Sequence, residues 1–344
     1  MRAAITDGKG NVWAGEVPMP EVKDYQCLCK ILACATCTGT DQKHIYNKLP
    51  WSQTYPGILG HESAGKVVKL GPKVRYLKEG DLILRPAAVY PGDKLGEFFS
   101  MWGGFAEYGL TTDVRALRED QPNAQPNNYT RFQQVVPADV NITPVEATTL
   151  ITLKECASYV MTIGATMFKS VVVLGAGSVG MSMVKFAKVF GAHPLIVVAR
   201  RDAQLAYAVK IGANFPVNAA TQDAVKAVMD LTGGRGADVL IDTTGDIDFV
   251  SSMVPAVAAE GKIATYATYK RDTAVDKVLD PKRLVRGVGS GEDTCHPYMM
   301  DAVRLGIVKP SEFYSHRLPL SMIKEGFDLI KKKIAFKVVF EMEE

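Results

Sequence analysis

Val171-Val172-Val173-Leu174-Gly175-Ala176-Gly177-Ser178-Val179-Gly180 decides how the second half of this chain folds. Four consecutive apolar residues predict a strand covered on both faces, and Gly-x-Gly-x-x-Gly at its end predicts a tight turn into a helix over 178–190. In a loop such glycines carry little information; between a strand and a helix they mark a phosphate cradle. Gly175 permits the turn, Gly177 lets the backbone approach a pyrophosphate at the helix N-terminus, and Gly180 lets helix and strand pack closely. Ala176, Ser178 and Val179 complete this candidate cofactor-binding loop.

Beyond the loop the alternation continues, with strands expected at 195–198, 237–242 and 262–265 and a helix at 203–211. Unbroken apolar strands alternating with helices describe a doubly wound α/β domain. The end of its second strand selects the cofactor. A site for NAD usually places Asp or Glu about 20 residues beyond the glycines, on the ribose hydroxyls. This chain has Val198-Ala199-Arg200-Arg201 there. With the carboxylate gone, Ala199 leaves room while Arg200 and Arg201 supply guanidinium groups for a 2′-phosphate, so NADP(H) is expected over NAD(H).

Upstream the pattern differs. Short β-like runs at 2–5, 26–33, 63–70 and 81–85, separated by Gly and Pro, predict a β-rich domain. The polar stretch 114–134 has no apolar period and is expected to be an exposed loop or flap. Amphipathic helices are expected at 298–305 and 321–333 and a strand at 337–340, a tail that should return to the first domain. At 344 residues the chain exceeds one comfortable core. We therefore expect domains at 1–146 plus 288–344 and at 147–287, with a reactive cleft between them.

Composition narrows the function classes. With 47% hydrophobic and 22% charged residues the chain reads as an ordinary globular protein. No apolar run reaches membrane-span length, and the N-terminus lacks a signal-peptide layout, which points away from membranes and to the cytoplasm. A net charge of +3 and a single basic run, Lys331-Lys332-Lys333, argue against nucleic acid as a partner. Of the six cysteines, Cys27 and Cys29 alternate within a strand-like run and read as core. Cytosolic disulfides are not expected.

Cys37, in Cys37-Thr38-Gly39-Thr40-Asp41, and His61, in Gly60-His61-Glu62, stand out as metal donors. Thiolate and imidazole together favour Zn²⁺, and neither motif has the paired spacing of a structural zinc finger. A catalytic zinc, with one coordination position open to substrate oxygen, is the expected use.

The two motifs and the glycine loop occur in an order that resembles the zinc-dependent medium-chain dehydrogenase/reductase family, from end to end of the chain. Pro56-Gly57-Ile58-Leu59-Gly60-His61-Glu62-Ser63-Ala64-Gly65, Lys78-Glu79-Gly80-Asp81, Gly103-Gly104-Phe105-Ala106-Glu107-Tyr108 and His316-Arg317-Leu318-Pro319-Leu320 carry the match beside Cys37. The resemblance implies a GroES-like catalytic domain, a Rossmann cofactor domain, and zinc held by Cys37 and His61 with Glu62 near or exchangeable. It implies a third main ligand within Thr149-Leu150-Ile151-Thr152-Leu153-Lys154-Glu155-Cys156, for which Glu155 is preferred and Cys156 stands behind it. Failing both, Cys37, His61 and Glu62 make a three-ligand site.

By the same resemblance Thr40 is the hydroxyl that exchanges the substrate proton and His44 the relay residue beyond it, although the usual histidine spacing falls on Lys43. The lobe that carries a second, four-cysteine zinc in many members corresponds to residues 85–104, which contain no cysteine. One zinc per chain is the expectation. Tyr46, Trp51, Phe98 and Trp102 flank the motifs as candidate pocket residues.

These readings converge on a zinc-dependent oxidoreductase passing hydride between NADP(H) and a secondary alcohol, polyol or sugar and its carbonyl product, acting on small molecules as a homo-oligomer, dimer or tetramer. Two alternatives compete. A zinc-free NADPH quinone or enoyl reductase shares the scaffold but generally lacks the Cys and Gly-His-Glu donors together. A non-catalytic NADPH-binding protein would bind nucleotide without turnover.

Overall fold

Val171–Leu174, fully buried, is the third strand of a parallel sheet ordered Phe215–Asn218, Leu195–Ala199, Val171–Leu174, Ala237–Asp242, Val257–Thr265, Leu284–Val285. The computed structural model describes residues 1–270, 273–285 and 291–342. Sequence order along the sheet reverses between Val171–Leu174 and Ala237–Asp242, the switch at which doubly wound sheets bind ligands beyond their strand ends. The first helix after the glycines spans Ser178–Val189 and the next Asp202–Ile211. Two edge strands escape an apolar-run criterion: Phe215–Asn218 contains Pro216, tolerated at a sheet edge, and Leu284–Val285 is only two residues long.

The chain forms two compact units. One comprises Met1–Lys48, Ser52–Ile151 and Glu292–Glu344, the other Leu49–Trp51 and Thr152–Gly291. The helix Pro144–Thr162 runs through the boundary expected at 146/147, and the boundary expected at 287/288 lies outside the described residues.

In the first unit Gln26–Ala35 is the organising strand. Its alternation buries Cys27, Cys29, Ile31 and Ala33 on one face, and it pairs antiparallel with Glu62–Leu70, Tyr108–Thr112 and Val338–Glu341. The last pairing sets Phe340 opposite Cys34, so the C-terminal tail is a strand of the N-terminal sheet. A second sheet runs Val12–Glu16, Arg2–Thr6, Gly57–Ile58, Phe98–Ser100, Lys94–Leu95.

Two expectations need correction. Residues 114–134 are not simply a loop: they hold the helix Val114–Asp120 and the 3₁₀ turn Asn128–Phe132. Asp113 caps the helix by accepting from Ala116 N at 2.9 Å, and Arg75 reaches Asp120 and Glu119 from another segment. The helix buries Ala116, too small a residue to print an apolar period on the sequence. The helix expected at 298–305 begins earlier, at Glu292, and carries Pro297 within it, a residue that reads as a boundary in sequence. Among the described residues no helix is long and apolar enough to cross a membrane.

Candidate metal and nucleotide sites

Strand pairing brings the two donor motifs together. Glu62 opens the strand Glu62–Leu70 and lies opposite Ala35, two positions before Cys37. Gly60 makes the preceding turn at φ +99, where a Cβ would come within 2.5 Å of Phe105 N, so a side chain is excluded. Cys37 is the N-cap of the helix Thr38–Ile45; its N–H donates to Asp41 Oδ2 at 2.8 Å and its thiol donates to Thr40 Oγ1 at 3.4 Å. One donor atom each from Cys37, His61 and Glu62 lies within 4.8 Å of the others. Soft sulfur, imidazole and carboxylate at that separation fit Zn²⁺.

The surroundings also suit a cation. Burial pushes the Cys37 thiol up to about 12, and the Glu62 and Asp41 carboxylates add to the rise. Burial lifts Asp41 to about 8, opposed by the Cys37 N–H and reinforced by Glu62. A divalent cation reverses such a balance by stabilising the thiolate directly. Burial, aided by Arg85, His44 and Lys337, holds His61 well below the usual histidine range, in the neutral form that ligates metals. Its Nδ1 faces Asp41 Oδ1 at 3.7 Å, and both of these buried atoms lack a hydrogen-bond partner. Glu62, almost fully buried, is ion-paired with the equally buried Lys337.

Other sequence-identified residues fall in varied places. His44 is buried, with both ring nitrogens lacking a hydrogen-bond partner. Trp102 lies edge-on to it at 4.8 Å between ring centroids and at the same separation from His61. Phe98 packs in a core cluster with Ala3, Ile5 and Ile58, Tyr46 accepts a hydrogen bond from Lys331, and Trp51 is exposed. Glu155, on the helix Pro144–Thr162, accepts a hydrogen bond from Tyr266 at 3.1 Å, and Cys156 is fully buried. Lys337 and Arg85 carried no signal in the sequence; Asp41 did, since it lies one helical turn beyond Cys37.

In the second unit Gly175 turns at φ +95 and Gly177 is the N-cap of Ser178–Val189. A Cβ on Gly180 would collide with the Gly175 carbonyl oxygen, whereas one on Gly177 would meet nothing within 4 Å. No contact among the described residues therefore requires glycine at 177, and the free space beside a helix N-terminus is what a pyrophosphate needs. Ala176 and Ser178 are buried, and Val179 is half-buried. Ala199 ends its strand, and Arg200 and Arg201 follow, both exposed. Arg200 lies over the Phe249 ring at 5.2 Å, and Arg201 is the N-cap of Asp202–Ile211. Asp202, the nearest carboxylate in sequence, accepts from Asn218 Nδ2 at 2.6 Å.

A parallel nucleotide-type sheet joined to a β unit bearing Cys, His and Glu donors defines a two-domain dehydrogenase. Residues 23–118 match the alcohol dehydrogenase GroES-like domain and residues 178–303 the zinc-binding dehydrogenase domain. The chain is 32% identical over 270 residues to L-threonine 3-dehydrogenase of Pyrococcus furiosus, covering 76% of this chain and 74% of that protein. It is 27% identical to erythritol/L-threitol dehydrogenase of Mycolicibacterium smegmatis, covering 96% and 94%. A zinc-binding dehydrogenase of Sinorhizobium meliloti 1021, solved bound to NADP, has the same fold, with a TM-score of 0.78 at 23% identity over 99% and 98% of the two chains. The chain belongs to the zinc-dependent medium-chain dehydrogenase family, a family of oxidoreductases.

Proposed function

We propose that this protein is a zinc-dependent, NADP(H)-linked dehydrogenase of a secondary alcohol, polyol or sugar. The convergence of Cys37, His61 and Glu62 within 4.8 Å carries the reading. These three residues would hold the metal, which when bound supplies a Lewis acid for the substrate oxygen. Glu155, engaged by Tyr266, is left outside that assignment. Thr40, whose Oγ1 accepts from the Cys37 thiol, would take the proton from the substrate hydroxyl; His44, the relay residue the resemblance implies, is buried with neither ring nitrogen hydrogen-bonded, so a relay through it needs a bridging group.

Gly175 to Gly180 would cradle the pyrophosphate of a nucleotide that supplies or accepts hydride. Arg200 and Arg201 would bind its 2′-phosphate, and Asp202, held by Asn218, does not oppose them. The relative solved with NADP supports this choice. Threonine, erythritol and threitol, named for two relatives, each carry a secondary hydroxyl beside another polar substituent, which supports a polyfunctional substrate. We place the protein in a homo-oligomer in the cytoplasm.

The test is a panel of polyols, sugars, hydroxy-amino acids and their ketones, run on zinc-loaded protein with both nucleotides. The expected result is turnover with kcat/KM for NADPH at least about tenfold above NADH, a preference lost in Arg200→Ala, Arg201→Ala, since one such charge-assisted contact is worth about 1.5–3 kcal/mol. Equal values for the two nucleotides, or a double variant that keeps the preference, defeats the NADP(H) assignment. Turnover indifferent to Cys37→Ser and to chelators defeats the zinc assignment.

A further inference from the structure

Arg85 follows the strand Leu82–Leu84 and is buried, yet it adopts a left-handed backbone at φ +57, a conformation a bulky side chain rarely takes. Its backbone is fixed on both sides: Arg85 N donates to Ser63 O at 2.8 Å, and its carbonyl accepts from Gln133 Nε2 at 3.0 Å. The guanidinium is fixed as well. Nε and Nη2 donate to the two carboxylate oxygens of Glu292 at 3.1 and 2.6 Å, and Cζ lies 5.4 Å from the Phe132 ring centroid and 6.0 Å from that of Tyr129. Glu292 is fully buried and is the first residue of Glu292–Arg304. The remaining arm, Nη1, donates to the carbonyl oxygen of His61 at 2.8 Å.

A buried ion pair is by itself weak evidence for stability, because desolvation of both charges offsets much of their attraction. A left-handed arginine in such a pair calls for another reason, and strained backbone concentrates where a side chain must be aimed. Here the aimed group meets the main chain of the metal-side histidine. We propose that Arg85 is a positioning residue for the donor set: framed by Glu292, Phe132 and Tyr129, it fixes the backbone at His61 and with it the imidazole. Outer residues that orient ligands in this way typically change metal affinity about 10–100-fold when altered.

The inference rests on reading Cys37, His61 and Glu62 as the metal donors, and the test separates the two. Full-length wild type, Arg85→Lys and the double variant Arg85→Met, Glu292→Leu are compared by zinc competition against a chromophoric chelator and by the visible spectrum of the Co²⁺-substituted protein. Thermal unfolding of each metal-free protein serves as the fold control. Lysine keeps the charge but not the three-way fork, and the apolar pair removes both buried charges without stranding either. Expected in both variants are zinc affinities reduced about 10–100-fold and displaced Co²⁺ bands, with metal-free stability close to wild type. Wild-type zinc affinity and Co²⁺ bands in Arg85→Lys overturn the positioning role, as does a loss of affinity that merely follows a loss of metal-free stability. Should the double variant not fold, Arg85→Lys decides alone. A wild type that binds no zinc overturns the donor assignment and this inference with it.

Discussion

His44 sits where a charged ring would be costly. Burial lowers it from 6.5 to about 4, so the folded ring is neutral at pH 7. The unfolded chain binds its proton at the ordinary value, about 6.5. Because the folded value is the lower, the unfolded state holds more protons through this window, and stability falls as pH drops from 6.5 towards 4 and levels off below it. The full contribution is at most roughly 3 kcal/mol. His44→Leu removes it. Measured by urea unfolding, the stability of the variant relative to wild type should rise by roughly 2 kcal/mol from pH 7 to pH 5. Parallel pH dependences would show that His44 does not titrate this way. Cys37, His61 and Glu62, which converge within 4.8 Å, were legible as candidate donors in the sequence because motifs keep them close in number. What surrounds them was not: the Lys337 and Glu62 pair spans 275 positions, and no local pattern records such a contact.

At the scale of elements, the strand Val171–Leu174 and the helix after it were plain because both periods are carried by large apolar residues. The helix Val114–Asp120 was hidden because its inward residue is an alanine and its anchors, Asp113 and Arg75, act through capping and tertiary ion pairs. The glycine loop separates two roles that its motif merges. Gly180→Ala drives a Cβ into the Gly175 carbonyl, and the resulting shift should cost roughly 1–3 kcal/mol of stability. Gly177→Ala meets free space, so its unfolding temperature should stay near wild type while NADPH affinity falls at least about tenfold through loss of close backbone approach. Scanning fluorimetry paired with NADPH titration distinguishes the two. Equal losses of stability in both variants, or undiminished NADPH affinity in Gly177→Ala, would refute this division.

For the whole molecule, the donors Cys37, His61 and Glu62 belong to one compact unit and the loop from Gly175 to Gly180 to the other. Sites that share no side chain usually contribute additively to within about 0.3–0.5 kcal/mol, roughly a factor of two in affinity. Removing zinc by chelation should therefore abolish turnover while leaving the NADPH dissociation constant, measured calorimetrically, within about twofold. A larger change in that constant would show that the metal and nucleotide sites are energetically coupled.

Sequence by itself determined what depends on short separations: the strand, turn and helix of the nucleotide loop, the absence of an acid at Ala199, and the donor chemistry of Cys37 and Gly60-His61-Glu62. Those features follow from local sterics and side-chain type, which adjacent residues fix. Tertiary structure alone decided which groups meet. Antiparallel register sets Glu62 against Ala35, the returning strand Val338–Glu341 brings Lys337 to Glu62, and Arg85 and Glu292 meet across 207 positions to hold the His61 carbonyl. Such contacts arise from sheet pairing and the burial of charge, forces that act between residues far apart in the chain.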